Sequence, residues 1–183
     1  MNSALGIISA LIFFAAFVPY ILAIMRGECK PKRSSWIIWS SMDTVTFAAI
    51  IAAGSFSWLL VGALSGAYIV LALSTQRGEG GWSTLDKLCL AGGAFGIILW
   101  ALTKAQAAII SNIVVLLVGS VPTIVSVWRT RTGEDKFAWT LYTLDSAIGI
   151  MAVPAWTIQD AAIPIAFFAI DFAIVFPLYL KKN

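Results

Sequence analysis

The sequence predicts an all-α polytopic membrane protein of seven transmembrane helices. Three observations carry that reading. Of its 183 residues, 60% are hydrophobic and only 11% charged, where an ordinary soluble domain carries about 25%. Mean hydropathy is +0.92. When seven spans are drawn, eleven of the twelve lysines and arginines fall on one side of the membrane, the asymmetry expected of cytoplasmic loops.

A span needs roughly 20 mainly apolar residues to cross about 30 Å of hydrocarbon. Segments at about 4–25, 36–53, 56–74, 88–103, 107–128, 137–155 and 161–180 answer to that description. The first lacks a basic leader and a small-residue cleavage site, so it reads as a retained span. The fourth is short and glycine-rich (AGGAFG). Polar, turn-forming stretches separate the segments, as in RGECKPKRSS, TQRGEGGWS and RTRTGEDK. Arg26, Lys30, Lys32 and Arg33 lie in the first connection, Arg77 and Lys87 in the third, Arg129, Arg131 and Lys136 in the fifth, and Lys181 and Lys182 at the end; the opposite side holds Lys104. The N-terminus is therefore expected outside and the C-terminus in the cytoplasm, in a plasma or inner membrane.

The chain contains an internal repeat. With a shift of 103 residues, VPYILAIMR at 18–26 falls on VPTIVSVWR at 121–129, Trp36 on Trp139 and Trp39 on Tyr142. Spans 1–3 then correspond to spans 5–7. Two odd-numbered units share an orientation only if an extra helix returns the chain across the bilayer, which is the task of span 4. The expected organisation is a first three-helix repeat at 1–75, a loop and linker helix at 76–104, and a second three-helix repeat at 105–183.

This plan resembles the SWEET and PQ-loop superfamily, whose members are built from parallel three-helix repeats. Pro19 and Pro122, late in the first helix of each unit, resemble the family's proline, although the dipeptides read Pro19-Tyr20 and Pro122-Thr123 and not Pro-Gln. The second-helix proline is missing: Trp36–Gly54 has none and Pro154 comes at a helix end. The third-helix asparagines that contact sugar in SWEETs have no counterpart in spans 3 and 7. The resemblance implies the fold and a central solute path, not a sugar substrate. The related nicotinamide riboside carriers, with the same plan and aromatic pockets, suit the eight tryptophans better.

Ionisable groups inside spans are costly and mark functional sites by default. Asp43, Asp145 and Asp171 are such groups, and no Lys or Arg shares a span with them. An acid in a low-dielectric cavity can bind a proton in one access state and release it in another; ionised, it can hold a cationic solute. The structural alternative is an acid bonded by local hydroxyls, for which Ser40, Ser41, Thr44, Thr143 and Ser146 are placed. Asn112 and its repeat partner Ser9 are candidates for a solute contact or an inter-helix bond, and Gln106 reads as solvated. Tyr68, aligned with Asp171, is a candidate pocket wall or a packed tyrosine. Trp36 and Trp139 are expected as interfacial anchors, with Trp39 and Tyr142, one turn deeper, as stacking or gating residues. Trp58, Trp82 and Trp156 read as anchors at span edges; Trp100 falls in the linker helix and Trp128 ends span 5. Pro19 and Pro122 are candidate hinges.

Composition excludes other classes. The chain has no histidine, and Cys29 and Cys89 lie 60 residues apart, so neither a zinc site nor a disulfide framework is expected. No metal, cofactor or enzymatic activity is expected, and the basic runs lack the length and aromatic interleaving for nucleic acid. A retinal receptor would need a Schiff-base lysine, absent from IPIAFFAIDFAIVFPLYL. The expected function is transport of a small polar solute (a sugar, nucleoside-like compound or cationic metabolite) by alternating access through a central cavity between the repeats, with proton coupling as an option. The alternative is a receptor or scaffold on the same fold. The partners expected are the solute, the lipid bilayer and, as an option, further copies of the chain.

Overall fold

The computed structural model describes residues 2–52, 58–80, 83–102, 105–153 and 155–180. Pro154, Trp82, Lys104, Lys181 and Lys182, and the side chains of Trp58, Trp100 and Gln106, lie outside the described set. Seven α-helices occur among the described residues: α1 Asn2–Arg26, α2 Arg33–Ala52, α3 Trp58–Arg77, α4 Thr84–Leu102, α5 Ala105–Thr130, α6 Lys136–Met151 and α7 Ile158–Tyr179. Three contain stretches long and apolar enough to cross a membrane: Ala4–Arg26, Ile110–Thr130 and Asp160–Tyr179. The others depart from that standard for visible reasons. α6 has 16 residues, and α2 carries Ser40, Ser41, Asp43, Thr44 and Thr46 along its length.

Helix ends are set by local chemistry. Gly27, at φ 75°, closes α1, with its N–H on the Ile24 carbonyl and the Glu28 N–H on that of Ala23, as a glycine in the left-handed region allows. Asp135 caps α6 by accepting from the Ala138 N–H at 2.7 Å, and Thr157 caps α7 by accepting from the Asp160 N–H. Hydroxyls inside the helices mostly donate back to the preceding turn: Ser40 to Trp36 O, Thr143 to Trp139 O and Ser146 to Tyr142 O. That habit satisfies a hydroxyl where no water can reach it.

The chain divides into two compact units, residues 1–30 with 123–183, and residues 31–122. In the first, α1 packs on α6 and α6 on α7. In the second, α2 packs on α3 and α4, and Val115 of α5 joins Ile38, Met42 and Cys89 in a buried apolar cluster. Gly119 lets α5 come close to α2, since a Cβ there would stand 2.8 Å from Ile38 Cγ2; small residues serve this purpose between membrane helices. Each unit therefore combines the first helix of one sequence repeat with the second and third helices of the other, the second unit adding α4. The division into compact units and the division into repeats cut the chain at different places. One unit boundary falls between Pro122 and Thr123, inside α5. Pro19 lies within α1, and neither proline ends its helix.

Polar side chains tie the second unit together at the loop ends. Arg33 at the start of α2 donates to the carbonyls of Ser74, Gly78 and Gly80 at 2.8, 3.1 and 3.3 Å, and so satisfies the C-terminal end of α3. Its repeat counterpart Lys136 lies 4.3 Å from the centre of the Tyr179 ring at the end of α7. Ser83 and Asp86 cap α4 reciprocally: the Ser83 N–H and hydroxyl donate to Asp86 at 3.1 and 2.6 Å, and the Asp86 N–H donates back at 3.2 Å. Ser34 on α2 donates to the other carboxylate oxygen at 2.6 Å.

Burial acts to raise the Asp86 carboxyl, but the hydrogen bonds from Ser34 and Ser83, aided by Lys32, more than offset it and hold the group below the usual carboxylate range. A lowered folded-state value stabilises the protein above the unfolded value of about 3.9, and the contribution fades as pH falls below it. Asp86→Asn is expected to destabilise the protein by about 1–2 kcal/mol at neutral pH. Denaturation across pH should show the gap to wild type closing on acidification.

Candidate functional site

The first unit gathers acids and aromatics from both ends of the sequence. α1 supplies Ser9, Phe13, Phe17 and Tyr20; α6 supplies Trp139, Tyr142, Asp145 and Ser146; α7 supplies Asp171; and the turn before α6 supplies Glu134. Residues on α1 and α6 separated by more than 110 positions meet because the two helices pack along each other.

At the loop end, Glu134 is only 8% exposed. Its carboxylate accepts from the Tyr20 hydroxyl and from Trp139 Nε1 at 2.8 Å, and the Cys29 thiol lies 3.9 Å away. The loops meet here through the Lys30 N–H, which donates to the Gly133 carbonyl at 2.7 Å. Gly133, at φ 92°, turns the chain immediately before the acid. Burial, and then the charge of Glu134, push the Cys29 thiol well above its ordinary value, the condition of an inert cysteine.

Deeper in the bundle, Tyr142 is enclosed by rings. Its centroid is 5.7 Å from Phe13, 5.7 Å from Phe17, 6.5 Å from Tyr20 and 5.4 Å from Trp139, mostly edge-to-face as aromatic quadrupoles prefer. The Tyr142 hydroxyl is buried and, among the described residues, has no hydrogen-bond partner. Asp171 is buried at 7% exposure on α7, the helix that packs on α6. Asp145, half-buried, accepts from the Ser9 hydroxyl. Ser9 also stands 3.5 Å from where a Cβ on Gly149 would be.

The remaining sequence candidates lie in the second unit. Asp43 is half-buried, and two of the hydroxyls expected to bond it go elsewhere: Ser40 donates to the Trp36 carbonyl and Thr44 to the Ser40 carbonyl, with the Thr44 and Tyr68 hydroxyls 2.9 Å apart. Tyr68 is 46% exposed, and it belongs to the second unit while its counterpart Asp171 belongs to the first. Asn112 Oδ1 is buried without a partner among the described residues. Its counterpart Ser9 bonds Asp145, but the residue aligned with Asp145 is Met42, an apolar core residue. Trp39 packs edge-on against Trp36 at 5.1 Å.

Two expectations need correction. Trp36 and Trp139 are not interfacial anchors: they are 5% and 3% exposed, and the Trp139 indole N–H is spent on Glu134. Of the edge tryptophans, Trp156 is exposed, while Trp128 is half-exposed with its indole N–H 2.9 Å from the Ala173 carbonyl. Glu134 itself was hidden in the sequence by its setting in RTRTGEDK, a stretch with the composition of a solvated loop. The signal available was geometric: a Gly-Glu-Asp turn directly before a tryptophan-bearing helix.

The chain matches no protein-family model, no curated protein and no solved structure.

Removing the Glu134 carboxylate takes an acceptor from the Tyr20 hydroxyl and the Trp139 indole N–H, a loss of about 1–3 kcal/mol for a buried donor. Glu134→Ala is expected to lose about 3 kcal/mol of stability, and Glu134→Gln, which keeps one acceptor, distinctly less. Alkylation of Cys29 should be slow in wild type and accelerate in Glu134→Ala, a comparison read directly by mass spectrometry.

Proposed function

We propose that the protein is a membrane carrier for a small polar solute, spanning the bilayer seven times with its N-terminus outside and working by alternating access. The observation that carries this reading is the set of acids and aromatics in the first unit: Asp171 buried on α7, a buried Tyr142 hydroxyl without a partner among the described residues, and Asp145 held by Ser9. Polar groups of this kind are expensive inside a membrane protein and persist where something polar is bound or passed. The repeat and the matched prolines support the same reading, because a duplicated three-helix unit is a common basis for carriers. Eleven basic residues on one side against one on the other support the orientation.

The cluster favours certain solutes. Carboxylates beside the faces and edges of five aromatic rings suit a cationic or ring-bearing polar compound, through charge pairing and cation–π attraction. No feature of the cluster presents the row of neutral amides that a sugar would need.

Binding to the folded state alone raises stability by RT ln(1 + [L]/Kd), about 2.7 kcal/mol at a hundredfold excess over Kd. Thermal unfolding of the purified protein with panels of organic cations, nucleosides and sugars is expected to give a stabilising hit among the first two groups. That hit should be lost in Asp171→Asn. Stabilisation by a ligand that is indifferent to both Asp171 and Tyr142 would place the binding site elsewhere.

A further inference from the structure

The second unit engages two of its loop-end cations internally: Lys32 lies 3.4 Å from Glu79, and Arg33 donates to three carbonyls at the end of α3. The first unit presents its cations outward. Arg26, Lys30, Arg129 and Lys136 are exposed there, against one exposed acid, Glu28. The other two acids of that end are engaged, Glu134 being buried and Asp135 capping α6. These groups share one end of the unit. The Lys30 N–H meets the Gly133 carbonyl before α6, Lys136 lies over Tyr179 at the end of α7, and Trp128 at the end of α5 donates to the Ala173 carbonyl of α7. At the opposite end, the described residues of the unit carry one charged side chain, Asp160.

A track of rings leads away from the basic end. Phe168, Phe172 and Phe176 stack along α7 with centroids 5.9 and 5.6 Å apart. Their four-residue spacing keeps them on one helix face over about 12 Å. Trp128 meets the top of the track, 6.2 Å from Phe176. Trp128, Phe172 and Phe176 are all exposed. Arg129 directly follows Trp128, and Tyr179, the ring beneath Lys136, is three residues beyond Phe176. Two cations therefore stand within about a helical turn of the uppermost rings.

We propose that this face of α5 and α7 binds an anionic phospholipid, with its phosphate at Arg129 and Lys136 and one acyl chain along the phenylalanine track. Charge and polarity together select that occupant. A soluble anion would engage the cations and leave the rings in contact with other lipid; an apolar partner helix would cover the rings and leave the cations unanswered. An anionic phospholipid matches both, in the order in which they occur: charge at the loop end and hydrocarbon below it. Trp128 and Tyr179 sit at the junction, where amphipathic rings are favoured. The site rests on the membrane reading of the chain and not on solute transport.

The test uses the whole protein in phosphatidylcholine bilayers, with phosphatidylglycerol carrying brominated chains as the probe. Bromine quenches nearby indoles, and the contribution of Trp128 is isolated by difference from Trp128→Phe. Each cation near an anionic headgroup is worth about fivefold in binding, so quenching at Trp128 is expected to favour phosphatidylglycerol over brominated phosphatidylcholine by about 25-fold. Arg129→Gln and Lys136→Gln should each lower that preference about fivefold. Arg129→Lys should keep most of it, and Lys87→Gln, which removes an exposed cation of the second unit, should leave it unchanged. Inorganic phosphate should not displace the lipid. Since Arg129 and Lys136 are exposed, the variants are expected to fold, which circular dichroism checks; should one fail, native mass spectrometry of lipid retained by the other reports the same loss. Equal quenching by the two lipids, a loss in Lys87→Gln as large as in Arg129→Gln, or displacement by inorganic phosphate would each overturn the site. A lipid preference with no solute found would leave the site standing and count against the carrier alone.

Discussion

A carboxyl group taken out of water into an apolar helix bundle costs several kcal/mol unless a cation, donors or a proton offset the loss. The first unit holds Glu134, Asp145 and Asp171 in this situation, and its architecture can be read as three answers to that cost. Glu134 sits at the loop end, where a hydroxyl and an indole N–H converge on it. Asp145 is met across the helix interface by a single serine. Asp171 is buried on α7, which carries neither Lys nor Arg from Ile158 to Tyr179.

The same constraint separates the two repeats. Aligned positions carry different chemistry: Ser146 and Asp171 in one unit stand where Asp43 and Tyr68 stand in the other. Asp145 and Ser9 form a bonded pair, while Met42 and Asn112 at the matching places are an apolar core residue and an unsatisfied amide. The aligned positions do share cations that sit against the ends of α3 and α7, Arg33 and Lys136, while the interiors differ.

Much of the helical layout was legible in the sequence, because apolar runs and basic, glycine-bearing loops are local signals. The seven helices fall close to the seven segments drawn from composition. Asp171 and Tyr142 were legible as candidates, since an acid and a phenol in apolar surroundings stand out. Their place in one compact unit together with α1 was not. It depends on α6 packing with both α1 and α7, a choice of partner that no periodicity along the chain encodes. Glu134 was missed for the opposite reason: its neighbours Arg131, Thr132, Gly133 and Asp135 make it look solvated, and only the turn at Gly133 folds it inward. Trp36 and Trp139 misled because tryptophan at a span end serves equally as a lipid-facing anchor or as a donor to a buried acid, and the sequence does not distinguish the two.

The claim at the centre of this account is that the acid cluster of the first unit handles a solute and is not a structural brace. It is tested most directly by reconstituting the protein in vesicles and measuring uptake of whichever solute stabilises it, with and without an imposed pH gradient. The account predicts that the gradient accelerates uptake in wild type and has no effect in Asp171→Asn protein that is folded. Uptake in Asp171→Asn that still responds to the gradient as wild type does would contradict it.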